Sequence, residues 1–105
     1  MYGECVTNSE ISELITRRRR QILVHSAIYY RFDDNIISDH KWQEWAKELC
    51  ELQIKYPKIA EQCYLHEYFK DFDGSTGFNL PLTEPWVVRK AQQLLTLKKS
   101  FGVQL

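Results

Sequence analysis

Residues 20–57 read RQILVHSAIYYRFDDNIISDHKWQEWAKELCELQIKYP, with a turn-forming cluster, Asp33-Asp34-Asn35, between two amphipathic runs. Before the cluster, apolar side chains recur at spacings of three, four and seven, which is typical of one buried helical face. They are Ile11, Leu14, Ile15, Ile22, Tyr29 and Phe32. A second apolar face follows the cluster and comprises Trp42, Trp45, Ala46, Leu49, Leu52 and Tyr56. The sequence therefore predicts an antiparallel helical hairpin over about residues 9–57.

The ends of these two helices carry capping signals. The first helix is expected to begin near residue 8 or 9, and Thr7 with Glu10 at capping-box spacing marks an alternative start. Ser38 is a favourable N-cap for the second helix, because its hydroxyl can accept a hydrogen bond from a free backbone N–H. Pro57 ends that helix, since the residue before a proline avoids helical geometry, and it suits the first turn of a third helix.

Residues 58–105 are expected to add a short third helix, an ordered loop and a last helix to the hairpin. The third helix would carry Ile59, Ala60, Cys63 and Phe69. Residues 71–84 are rich in turn formers, with room for a brief extended segment at 78–82. Thr83 is the expected cap of the last helix, Pro85 lies in its first turn and Gly102 is its stop signal. The buried face of that helix would use Val87 or Val88, Ala91, Leu94, Leu95 and Phe101.

The length indicates a single domain over residues 1–105, and the helical patterns make it an all-α protein, a small helical bundle. The 14 basic and 14 acidic side chains cancel, which excludes a whole-molecule field that attracts nucleic acid. No apolar run approaches the ~20 residues needed to cross a bilayer, and the first residues lack a secretory signal pattern. Cys5, Cys50 and Cys63 are scattered and odd in number, so we expect reduced thiols and a cytoplasmic protein.

Side chains that carry chemistry are sparse, and we expect neither enzyme activity nor a metal site. His25, His40 and His66 lack the paired spacing of a zinc site. Residues 71–76 resemble a calcium-binding loop only superficially, because the glycine comes too early and no glutamate closes the loop. Four consecutive arginines at residues 17–20 point in four directions on a helix, so at least one must lie against the apolar face. Nucleic-acid binding through this run is therefore not expected.

Aromatic residues are dense on both sides of the turn and allow two interpretations. Tyr29, Tyr30, Phe32, Trp42 and Trp45 are large enough to form a core of packed rings. The polar groups of tyrosine and tryptophan could instead frame a planar ligand by stacking and hydrogen bonding. The sequence alone leaves both interpretations open.

The segment from about Arg20 to Pro57 resembles the N-terminal domain Ia of NAD-dependent DNA ligases. In that family a tyrosine–histidine pair and an acidic turn precede the pattern I-x-D-x-x-Y-D, followed by L-x-x-L-E and a closing proline. Ile37, Asp39 and Trp42 follow this spacing, as do residues 48–49, Leu52 and the pair at 56–57. The resemblance covers a little over a third of the chain.

The resemblance implies a fold and a ligand. Domain Ia binds the nicotinamide mononucleotide half of NAD, so nicotinamide mononucleotide or NAD is the implied ligand, with no cofactor required. The implied ligand-binding residues are Tyr29, Tyr30, Asp39, Trp42 and Gln43. Tyr30 falls at the family's histidine and Gln43 at its second aspartate, while Tyr29 and Asp39 match. Ligation is not expected, because the family's KxDG nucleophile is missing; the nearest string is DFDG at residues 71–74.

A second hypothesis is a protein-interaction module, such as a phage or mobile-element factor that binds and inhibits a host protein. Aromatic residues and arginines are the side chains that most often dominate protein interfaces. The candidates here are Arg17, Arg18, Arg20, Tyr64, Tyr68, Phe72, Phe78 and Trp86. Neither the partner nor the oligomeric state can be derived from the sequence.

Overall fold

The computed structural model describes residues 7–101, with side chains described for residues 7–99. This range contains five helices and no strand, which confirms the predicted all-α class. They are α1 (Asn8–Arg31), α2 (Asp39–Lys55), α3 (Pro57–Gln62), α4 (His66–Phe69) and α5 (Pro85–Phe101). Cys5, predicted to be a reduced thiol, and Gly102, the predicted stop signal of the last helix, lie outside the described residues. The side chain of Phe101 is also outside the described range.

The hairpin begins at its predicted caps. Helix α1 begins at Asn8, as predicted, and Thr7 and Glu10 form a complete capping box at its start. The Ser38 hydroxyl accepts a hydrogen bond from the N–H of Lys41 at 3.1 Å and caps α2. Asp33 adopts a left-handed conformation (φ 51°) in the turn between the helices.

Side-chain contacts between helices show the relative directions of α1, α2 and α5. Arg18 contacts Glu48, whereas Ser26, further along α1, contacts Trp42, earlier in α2, so α1 and α2 are antiparallel as predicted. Helix α5 packs along α1 in the same direction, because Arg20 lies beside Trp86 and Lys98 beside Asp34. Buried side chains from α1, α2, α4 and α5 meet in one core, which includes Ile15, Ile22, Leu23, Ile28, Leu49, Phe69 and Val87.

Arg19 explains why the third predicted helix is broken. Its side chain is fully buried, and its guanidinium donates to the carbonyls of Ala60, Cys63 and Tyr64 at 3.0–3.2 Å. Helix ends leave such carbonyls without partners, so the arginine caps the end of α3. The chain then turns at Leu65, which has a φ of 72°. The prediction of one helix through residues 59–69 was therefore wrong, because a distant arginine takes the acceptors.

The remaining corrections concern residues 71–88 and Tyr29. The segment 78–82 forms turns rather than an extended strand. Backbone N–H groups of α5 bond to the Glu84 carbonyl, so Glu84 occupies the cap position predicted for Thr83. Val87 rather than Val88 is fully buried, while Leu94 and Leu95 are partly buried. Tyr29, assigned to the buried face of α1, is 55% exposed, because its ring lies on the surface at the bend.

Candidate ligand cleft at the bend

A cleft with a volume of about 180 Å³ lies where α1 ends and α2 begins. All five residues implied by the resemblance line it: Tyr29, Tyr30, Asp39, Trp42 and Gln43. Other walls come from the connection at residues 35–38 and from Ser75 and Thr76 of the loop. The aromatic cluster is divided between the two environments: Tyr29 and Tyr30 line the cleft, Phe32 and Trp45 pack against the core, and Trp42 does both.

Helix α1 supplies one wall of the cleft through two pairs of residues, 25–26 and 29–30, that lie about one helical turn apart. His25 and Ser26 lie three to five positions before Tyr29 and Tyr30, so all four reach the same end of the helix. The indole Nε1 of Trp42 donates to the Ser26 hydroxyl at 3.2 Å, which fixes the tryptophan ring across the hairpin. Tyr29 and Tyr30 meet edge to face, with ring centroids 4.9 Å apart. The aromatic wall is therefore held from both helices.

The loop before α5 closes the other side of the cleft. The Tyr30 hydroxyl lies 2.8 Å from the Thr76 hydroxyl, and Phe78 packs edge to face on the Tyr30 ring at 5.4 Å. Gly77 is buried directly against Ser26. Phe72 packs against Trp42 and Phe69, so it joins the partly buried layer beneath the loop. The loop is thereby attached to the same residues that form the aromatic wall.

The electrostatics of the cleft favour a cation over an anion. Asp39 contributes a carboxylate, and among the described residues no lysine or arginine lines the cleft. Burial lowers the pKa of His25 to about 4, so this imidazole is neutral at neutral pH. Its Nδ1 is buried without a hydrogen-bond partner among the described residues. The walls therefore offer aromatic faces, hydroxyls, one amide and one negative charge.

Sequence reasoning did not assign eight of the lining residues to the cleft: the four residues of the connection at 35–38, together with His25, Ser26, Ser75 and Thr76. His25 was weighed only as a metal ligand, and Ser26 was not considered. Their positions one helical turn before the tyrosine pair were the signal that could have found them. Ser75 and Thr76 lie more than forty residues after Tyr30 along the chain, and no local pattern links them to the hairpin. Among the described residues no group of histidines, cysteines, aspartates and glutamates is placed to hold a metal ion.

The residues of the interaction hypothesis do not form one surface. Arg17 pairs with Glu13, and Arg18 pairs with Glu48 and covers the Trp45 ring. Phe72 is partly buried rather than exposed, because it packs against the core. The exposed Phe78 lies beside the cleft. A separate group remains on the opposite side of α1, comprising Arg20, Tyr64, Tyr68 and Trp86.

Comparison of the chain with protein-family models, with curated proteins and with solved structures gives no match. None of the helices described over residues 7–101 is both long enough and apolar enough to cross a membrane.

Proposed function

We propose that the protein is a non-catalytic binding module whose bend cleft takes the nicotinamide–ribose part of an oxidised nicotinamide nucleotide. The observation that carries this proposal is the convergence of Tyr29, Tyr30, Asp39, Trp42 and Gln43 on one cleft. These residues come from two helices and fall at the ligand-binding positions of ligase domain Ia, where Tyr29 and Asp39 match the family and Tyr30 and Gln43 replace its histidine and second aspartate.

The charge of the cleft matches the charge of this ligand. The oxidised nicotinamide ring of a nucleotide is a planar pyridinium cation, which is attracted to tyrosine and tryptophan faces and to a carboxylate. Tyr29, Trp42 and Asp39 offer these groups together. The hydroxyls of Ser38 and Thr76 and the amide of Gln43 are suited to hydrogen bonds with the carboxamide and the ribose.

The size of the cleft limits how much of a nucleotide it encloses. A volume of about 180 Å³ is below the ~300 Å³ at which enclosed ligand sites usually begin. A ring with part of its sugar fits this space, whereas a phosphate would remain at the mouth. Since no lysine or arginine in the described part of the chain lines the cleft, the phosphate gains no ion pair from these residues. Nicotinamide riboside is therefore expected to bind at least as tightly as nicotinamide mononucleotide.

Isothermal titration calorimetry with nicotinamide riboside, nicotinamide mononucleotide and NAD tests the proposal. We expect saturable binding of all three and at least tenfold weaker binding of the uncharged, reduced nicotinamide riboside. Tyr29→Ala and Asp39→Asn should each weaken binding. Absence of heat at millimolar ligand, or equal binding of the oxidised and reduced forms, would contradict the proposal.

Tyr68→Ala is the matched control for Tyr29→Ala. Tyr68 is 50% exposed and Tyr29 is 55% exposed, so both substitutions remove a similar aromatic surface. Only Tyr29 lines the cleft. A loss of affinity in both variants would show that the ligand binds aromatic surface in general rather than the bend cleft.

A further inference from the structure

A second concave surface lies between α1 and α5, on the other side of His25 from the cleft. This groove has a volume of about 1060 Å³ and carries three cationic residues, Arg20, Arg89 and Lys90. No aspartate or glutamate of the described side chains, residues 7–99, lines it. Because the whole chain is electrically neutral, this groove concentrates positive charge that acidic residues balance elsewhere on the protein.

The three cations keep their charge available. Within the described part of the chain, no carboxylate lies within ion-pair distance of Arg20, Arg89 or Lys90, whereas Arg17 and Arg18 each pair with a glutamate. The Arg20 guanidinium instead lies over the rings of Tyr64 and Trp86, at 5.4 and 6.0 Å from their centroids. Those contacts orient the guanidinium while leaving its N–H donors without an anionic acceptor.

We propose that the groove between α1 and α5 docks an acidic peptide segment of a partner protein. Carboxylates of the segment would bind Arg20, Arg89 and Lys90, with arginine offering the paired donors that carboxylates prefer. Val24 and Leu94 supply an apolar floor beside the Trp86 ring for an intervening apolar side chain. Gln21, Gln92 and Gln93 present amides that can pair with a peptide backbone. This proposal is independent of the nicotinamide ligand and assigns a surface to the protein-interaction hypothesis.

Two observations favour a peptide over single-stranded nucleic acid. Nucleic-acid grooves offer open aromatic faces on which bases stack, but here the Arg20 guanidinium already occupies one face of the Tyr64 ring and one face of the Trp86 ring. Affinity for a phosphate backbone also grows with the number of phosphates that the protein neutralises. The three cations of the groove can neutralise only a few phosphates, so their contribution to such binding is small. The mixture of tryptophan, tyrosine and arginine is instead the composition that dominates protein interfaces.

Fluorescence anisotropy with a labelled peptide of repeated Glu-Glu-Leu units tests the proposal on the full chain. We expect saturable binding that weakens with added salt, and at least a tenfold loss in Arg20→Gln and in Arg89→Gln. Arg17→Gln is the matched control, because Arg17 lies on the same helix outside the groove and is expected to leave binding unchanged. Thermal melts establish that the variants are folded.

Two further readouts locate the site and identify its ligand. In an ¹H–¹⁵N spectrum, the peptide should shift the indole signal of Trp86, whereas nicotinamide riboside should shift that of Trp42. A glutamine-substituted peptide and an oligothymidylate of similar length should bind at least tenfold more weakly. The proposal is overturned by absence of saturable peptide binding, by an Arg17→Gln effect equal to that of Arg20→Gln, or by tighter binding of the oligonucleotide.

Discussion

Gly77 lies so close to Ser26 that a side chain at position 77 has no room. A Cβ atom built on Gly77 would lie 2.1 Å from the Ser26 Oγ and 2.7 Å from its Cβ. Ser26 also accepts the hydrogen bond from Trp42, so the loop, α1 and α2 meet at this serine. This contact places Ser75 and Thr76 at the rim of the cleft.

Gly77→Ala is expected to destabilise the protein by about 1–3 kcal/mol, because the loop must move away from α1 to remove the overlap. The same movement separates Thr76 from Tyr30 and should weaken binding in the cleft. Urea denaturation measures the stability change, and calorimetry with nicotinamide riboside measures the binding.

The Ser26→Gly background is the control for this prediction. Removing the serine side chain eliminates both close contacts. Gly77→Ala should therefore destabilise the Ser26→Gly protein by at least about 1 kcal/mol less than it destabilises the original protein. Such a difference lies within the coupling energies of about 0.5–3 kcal/mol that are typical of residues in contact. Strictly additive effects of the two substitutions would contradict the steric explanation.

Arg19→Met is expected to destabilise the protein by about 3 kcal/mol or more. The substitution removes the guanidinium donors from the Tyr64 carbonyl and from Gln53 Oε1, which then have no donor among the described residues. The carbonyls of Ala60 and Cys63 lose one of their two donors and keep a backbone N–H. Each buried acceptor left without a partner costs ~1–3 kcal/mol unless water reaches it. Urea denaturation with circular dichroism measures the change.

Arg17→Met supplies the comparison for Arg19→Met. Arg17 forms an exposed ion pair with Glu13 within α1, and such pairs contribute only ~0.2–1 kcal/mol. If both methionine variants lost the same stability, the buried guanidinium would not be what holds α1 to the end of α3.

Lys98→Met should remove the polar contacts that join α5 to the bend. The Lys98 ammonium donates to the Asp34 carboxylate at 2.9 Å and to the Asn35 carbonyl at 2.7 Å. The hydrogen bond from Lys98 lowers the pKa of Asp34, so its removal should raise that pKa in a carboxyl ¹³C titration followed by NMR. Lys90→Met, at an exposed position outside this contact, should leave the titration of Asp34 unchanged.

Helix ends and the bend were predictable because their causes are local. The Thr7–Glu10 capping box, the Ser38 cap and Pro57 each act within one helical turn, and the structure contains all three. The bend places residues 29–30 beside residues 39–43 in any antiparallel hairpin. The convergence of Tyr29, Asp39 and Trp42 could therefore be expected from the sequence.

Features that depend on distant residues were not predictable. The periodicity of residues 59–69 favours one helix, but Arg19, forty residues earlier, takes the carbonyls that this helix would need. Tyr29 fits the spacing of a buried face, yet the ring is exposed because the chain leaves the core at the bend. The contributions of Ser75 and Thr76 depend on Gly77 meeting Ser26, a contact that local sequence patterns do not encode.

His25 should make the stability of the protein depend on pH below about 6.5. Burial lowers its pKa to about 4 in the folded state, against about 6.5 in the unfolded chain. Between these values the unfolded state binds more protons, so the free energy of unfolding falls as the pH falls. The full stability is present above pH ~6.5, and the loss approaches ~3 kcal/mol near pH ~4.

His25→Gln removes the titrating group while keeping a polar side chain, so its urea-denaturation free energy should change much less between pH ~6.5 and ~4.5. His40→Gln is the control, because the His40 side chain is 82% exposed and its loss should leave most of the slope in place. The carboxylates of Asp34, Glu67 and Asp73 have lowered pKa values and lose their contribution at lower pH than this window. An unchanged slope in His25→Gln would therefore show that the buried imidazole is not the source of the acid sensitivity.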